Sequence, residues 1–138
     1  MPIKISTPAS EGNSYGHPFV GDVLATDVVL LDISDLTTAE VDADGWLKPG
    51  LPLEKDGDTV ASGQRVYGVT IEPIKLNHAT IPPTDVSLAA DTGTQQVAVG
   101  THGVVNRDIC EDNLGRALTA DEIAGFDLAG SHLHLTRT

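Results

Sequence analysis

Short β-rich runs recur along this chain from Phe19 onward, separated by glycine, proline and aspartate. Val23-Leu24-Ala25 and Val28-Val29-Leu30-Leu31-Asp32-Ile33 are rich in β-formers and predict one or two strands. Punctuators then crowd together at Asp44-Gly45, Pro49-Gly50, Pro52, Asp56-Gly57 and Gly63. Arg65 to Ile71 reads as the clearest strand of that region, with Val66, Gly68 and Thr70 on one face and Arg65, Tyr67, Val69 and Ile71 on the other. Gln96 to Gly100 and Gly103 to Val105 predict a further strand or hairpin. His132-Leu133-His134-Leu135 alternates strictly, as a terminal strand should.

The strongest helical signal comes late. Thr119 is an N-cap with Glu122 three residues on, a capping box, and Leu118 and Ile123 occupy the staple positions. Gly130 would stop that helix. Residues 106–113 offer a second, weaker helix. Together these elements predict a mostly β, small single-domain barrel or sandwich with one short C-terminal helix.

The N-terminal stretch differs from the rest. Pro2, Pro8, Gly12, Gly16 and Pro18 interrupt residues 1–18, which read as an extended or mobile arm ahead of a β-rich domain spanning 19–138. Pro82-Pro83 and Gly93 mark 77–94 as a loop insertion, since proline cannot donate to a strand ladder.

Charge narrows the function. Eight basic against 20 acidic residues give a net charge of −12 over 138 residues. Such a chain repels nucleic-acid phosphates and anionic membrane surfaces alike. No run approaches the roughly 20 apolar residues of a membrane span, and residues 1–14 lack the apolar core of a signal peptide. One cysteine, Cys110, excludes an intrachain disulfide and fits folding in a reducing cytoplasm.

Candidate chemistry is sparse. Glu40, Asp42, Asp44 and Gly45 resemble the start of a calcium loop, but position twelve is Leu51 where a bidentate glutamate belongs. His132 and His134 share a strand face, yet two ligands do not make a metal site. His17, His78 and His102 read as loop histidines. Acidic neighbours Asp108, Glu111 and Asp112 disfavour a Cys110 thiolate, so the cysteine reads as buried and apolar. No nucleophile elbow or phosphate loop occurs. These features predict no catalytic, cofactor or metal residues. Two rival classes remain: a carrier domain of the barrel-sandwich type, and a small hydrolase using aspartate and histidine.

Three segments, taken in order, resemble a known family: Asp44-Gly45-Trp46-Leu47-Lys48-Pro49-Gly50-Leu51-Pro52-Leu53, Gly63-Gln64-Arg65-Val66-Tyr67-Gly68-Val69, and Val97-Ala98-Val99 with Gly103-Val104-Val105-Asn106. A Leu-Lys-Pro-Gly turn, a strand ending in Gly-Val, a strand reaching Gly-Val-Val, a short helix and a final strand resemble the phage head decoration (capsid cement) family of the lambda decoration protein type. The resemblance spans roughly Asp44 to Leu76 and Gln95 to Leu135. It implies a β-tulip type fold, a homotrimer at capsid three-fold positions, contact with the major capsid protein, and a place on the virion exterior after synthesis in the host bacterial cytoplasm. It implies neither catalysis nor a cofactor. In that setting the arm would add a strand to an exposed capsid strand. Its prolines confine the paired run to Ile3, Lys4, Ile5, Ser6 and Thr7.

Overall fold

A computed structural model describes residues 15–136. Seven strands lie among them: β1 (Phe19–Asp32), β2 (Trp46–Leu47), β3 (Pro52–Leu53), β4 (Gly68–Thr70), β5 (Ile74–Lys75), β6 (Thr94–Val105) and β7 (Leu133–Leu135). Three α-helices accompany them, α1 (Asp85–Ala90), α2 (Arg107–Leu114) and α3 (Ala120–Asp127), with one 3-10 turn at Ile33–Asp35. The fold is mostly β, as the alternating pattern predicts.

Strand β6 is the hub. It pairs antiparallel with β1 and β4 and parallel with β7, giving one sheet of order β1-β6-β4-β3 with β7 beside β6. β2 and β5 form a separate two-stranded sheet. The main sheet stays open, but the turn after β3 reaches back to the far edge. Asp32 N–H donates to Gly57 O at 3.3 Å. Gly57 has φ +90°, and a Cβ there would lie 1.8 Å from Leu30 O, so only glycine allows this approach.

Gly50 plays a similar part in the Lys48-Pro49-Gly50 turn. It has φ +100° and lies against Cys110, whose Cα would be 3.0 Å from an added Cβ. Buried Thr70 fixes the turn: its hydroxyl accepts from Leu51 N–H and donates to Lys48 O, both at 3.0 Å. A buried hydroxyl costs stability unless so satisfied. The core around it is aliphatic, with Leu31, Leu47, Leu51, Leu53, Val69 and Val99 fully buried.

Several expectations need correction. The 77–94 segment is not all loop, because α1 lies within it. Thr84 caps α1, with the Thr84 side chain on Ser87 N–H and the Ser87 side chain on Thr84 N–H. Serine at the third helical position, where the usual box carries Glu or Gln, hides this cap from the sequence pattern. Residues 65–71 are regular strand only over β4. There Gly68, Val69 and Thr70 are all buried, so no exposed face alternates. Val66 N–H instead bonds Gly125 O in α3, and Tyr67 N–H bonds Leu53 O. His102 lies within β6, not in a loop.

Candidate functional site

The described end of the expected arm belongs to the body. Asn113, buried in α2, clasps Gly16 in both directions: Gly16 N–H donates to Oδ1 at 2.9 Å, and Nδ2 donates to Gly16 O at 2.8 Å. Asn106 N–H donates to Pro18 O at 2.8 Å. Tyr15 OH donates to Asp42 Oδ2 at 3.3 Å. Burial and the Asp42 carboxylate push the Tyr15 phenol up to about 12. Residues 15–18 therefore anchor to α2 and the acidic turn rather than forming part of a loose arm. The expected contact residues Ile3, Lys4, Ile5, Ser6 and Thr7 lie outside the described residues.

The acidic turn that resembles a calcium loop uses its carboxylates for structure. Asp42 Oδ1 accepts from Asp44 N–H and Trp46 N–H, each at 3.0 Å. Glu40 Oε1 caps Thr37 N–H at 2.8 Å, and its Oε2 meets Arg116 Nε at 2.9 Å. Arg116 also grips Glu122 through two bonds of 2.9 and 3.1 Å. Both glutamates are buried. Burial works against the guanidinium charge, but Glu122 and Glu40 outweigh it and hold Arg116 more firmly protonated than usual. Glu122 is also the second half of the α3 capping box, as the sequence predicts. One cation thus ties the 40s turn to the start of α3. The sequence pattern could not reveal this, because the partners are 76 and six positions from Arg116.

His78 is neither exposed nor free. Its side chain is 5% exposed, with Nδ1 2.6 Å from Asp91 Oδ2 and Nε2 3.0 Å from Ser87 Oγ. The His78 bond, then Gly93 N–H, hold the Asp91 carboxyl below its ordinary range. The connectivity is that of a serine–histidine–aspartate relay. However, the Ser87 hydroxyl accepts from Thr84 N–H at 2.9 Å and lies 3.0 Å from Thr84 O. Its bonds are those of a helix cap, so the three residues act as a clamp that closes the 77–94 segment onto itself.

Other titratable groups follow the same logic. Asp32, Asp35 and Asp58 bring carboxylate oxygens within 4.8 Å of one another, as do Glu54, Asp56 and Asp58. Burial, then Asp35 and Asp56, push the Asp58 carboxyl up to about 6. Asp32 caps the turn after β1 through Ser34, and Glu54 accepts from Ala61 N–H. His132 stacks on His102 with ring centroids 4.5 Å apart, while His134 faces outward from β7. Cys110 is fully buried, and burial, then Glu111, push its thiol up to about 12. That fits the apolar reading.

Two surface features remain. An open cleft of about 690 Å³ lies between the 54–56 turn, the 63–65 loop and the end of α3, with Lys55, Arg65 and Leu128 among its lining. The outer face of β1 exposes Val20, Leu24, Val28 and Leu30. Comparison with known proteins adds no relative: no family model, no curated protein and no solved structure matches the chain.

Proposed function

We propose that this chain is a structural decoration protein of a tailed-phage head, binding the major capsid protein lattice as a homotrimer on the virion exterior and stabilising the expanded shell. The observation that carries the reading is the anchored departure point of the N-terminal segment. Asn113 and Asn106 fix residues 16–18 to α2 and its N-cap. A segment that starts from a fixed point meets a neighbouring surface at a higher effective concentration than a loose tail would. The Lys48-Pro49-Gly50 turn is followed by β4, β5, α1, β6, α2, α3 and β7, a series that is compatible with the turn, strands, helix and final strand of the resemblance. The acidic charge of −12 favours a protein partner over nucleic acid.

In this reading Ile3, Lys4, Ile5, Ser6 and Thr7 add a strand to the capsid, and the β body rests on the shell. Ordering each residue costs about 1–2 kcal/mol, which favours a short paired run. Deleting residues 2–14 tests it. The body should fold as before, because the Asn113 clasp begins at Gly16, while affinity for expanded heads should fall by about tenfold or more, roughly the worth of one or two good hydrogen bonds. Full affinity after deletion would show that the arm takes no part in capsid binding.

A further inference from the structure

We infer that the open cleft between the 54–56 turn, the 63–65 loop and the end of α3 takes a single acidic side chain, presented by an extended, leucine-bearing segment of a partner protein. The site stands apart from the decoration reading and is tested apart from it. Cations are scarce in this chain, eight against 20 acidic residues, and most of those described are committed. Arg107 and Arg116 meet glutamates, and Lys48 and Lys75 meet backbone carbonyls. Among the described residues, Lys55 and Arg65 have no carboxylate within ion-pairing distance, and both line this cleft. An acidic chain that leaves two cations unpaired in one place keeps an attraction for outside negative charge there.

Packing holds both cations in position. Val66, next to Arg65, is tied twice: its N–H donates to Gly125 O at 3.0 Å, and its O accepts from Ser131 Oγ at 3.1 Å. The Arg65 guanidinium lies against Gly130, where an added Cβ would be 2.1 Å from Nη1. Lys55 Nζ stands 5.8 Å from the centre of the Tyr67 ring, whose hydroxyl donates to Asp27. A group fixed before binding loses less freedom on binding.

The rest of the lining selects the ligand. Glu54 Oε2 accepts from Ala61 N–H at 2.9 Å, and Asp56 Oδ1 accepts from Asp58 N–H at 3.2 Å, so both carboxylates serve their own turn. They remain charged. A nucleic acid would have to bring several phosphates past them, whereas one carboxylate can reach Arg65 alone. Leu128, 38% exposed, and Ala129 give the cleft an apolar side that suits an aliphatic neighbour of the acid. The cleft, at about 690 Å³, has the size of a ligand site, but it is open. It covers one face of an extended segment and does not enclose a small molecule.

The probe is the acetylated, amidated peptide Ala-Leu-Glu-Leu-Ala, titrated into the isotope-labelled full chain and followed by amide chemical shifts. Amides of residues 54–56, 63–66 and 128–130 should move together, with half-saturation at about 1 mM, because an ion pair at an exposed site adds little. The same peptide with Gln for Glu should bind about fivefold more weakly, the worth of one good exposed ion pair. Arg65→Gln should lose the same factor, and Arg65→Lys less, since it keeps the charge without the fork. Arg107→Gln, which disturbs only the pair with Glu111, should bind like wild type. Circular dichroism melts check that each variant folds. Cleft amides that stay still up to about 10 mM peptide overturn the inference. So does equal binding of the Glu and Gln peptides, binding that ignores Arg65→Gln, or a short DNA duplex that moves the same amides at lower concentration. Co-sedimentation with expanded heads is read separately. A chain that binds the peptide but not heads keeps this inference and sinks the decoration reading; the opposite pair of results does the reverse.

Discussion

Replacing Arg116 with methionine removes the cation from between Glu40 and Glu122 while keeping most of the side-chain volume. Both glutamate side chains are nearly buried, at 6% and 4% exposure, so two carboxylates would be left without their counter-ion. Removing one partner of a buried ion pair costs about 3–5 kcal/mol. Two features place this case at the low end. The Arg116 side chain is 23% exposed, and each glutamate keeps a backbone donor, Thr37 N–H or Thr119 N–H. A loss of about 3 kcal/mol lowers the melting temperature of a chain this size by about 10 °C. The diagnostic comparison is with the triple variant Arg116→Met, Glu40→Gln, Glu122→Gln. Glutamine keeps the capping box but carries no charge, so the triple should recover part of the loss. Thermal melts and urea titrations at neutral pH measure both. A single variant melting within about 2 °C of wild type, or a triple less stable than the single, would show that the carboxylates do not depend on Arg116.

Thr119→Ala should destabilise the fold by about 1 kcal/mol through loss of the α3 cap, and an unchanged denaturation midpoint would contradict the capping geometry. Asp58 binds its proton more tightly folded than unfolded, at about 6 against about 3.9. Its contribution is therefore full below about pH 4 and lost as pH rises through 6. Asp58→Asn should accordingly be more stable than wild type at pH 7 and lose that advantage near pH 4; an equal gain at both values would refute the linkage. His78→Ala should make the 77–94 segment the first site of limited proteolysis while the rest of the chain stays resistant, and cleavage starting elsewhere would argue against the clamp. Cys110 should resist iodoacetamide in the folded chain and react on denaturation, and rapid native labelling would contradict its burial and raised thiol pKa.

The sequence reading and the structure agree where a signal is local. The α3 cap is legible because Thr119 and Glu122 sit three apart, and β7 because Leu133 and Leu135 alternate with histidines. The reading fails where long-range packing decides. Residues 65–67 carry a strand pattern, yet Val66 finds its backbone partner on α3 and Tyr67 on β3, and only β4 is regular. α1 escapes because Pro82-Pro83 reads as loop and a serine replaces the usual glutamate in its box. His78 reads as an exposed loop residue because its partners, nine and 13 positions away, show no periodic relation to it. The Gly16 clasp is invisible for the same reason, with Asn113 97 positions distant.

We propose that this acidic β body binds a capsid lattice. Co-sedimentation of the full chain with empty, expanded tailed-phage heads that lack decoration protein tests it most directly, with a gel-shift on double-stranded DNA run beside it. Saturable binding to expanded heads, weaker binding to unexpanded shells, and no retardation of DNA are expected. A chain that retards DNA, or that leaves expanded heads bare at every concentration tried, would contradict it.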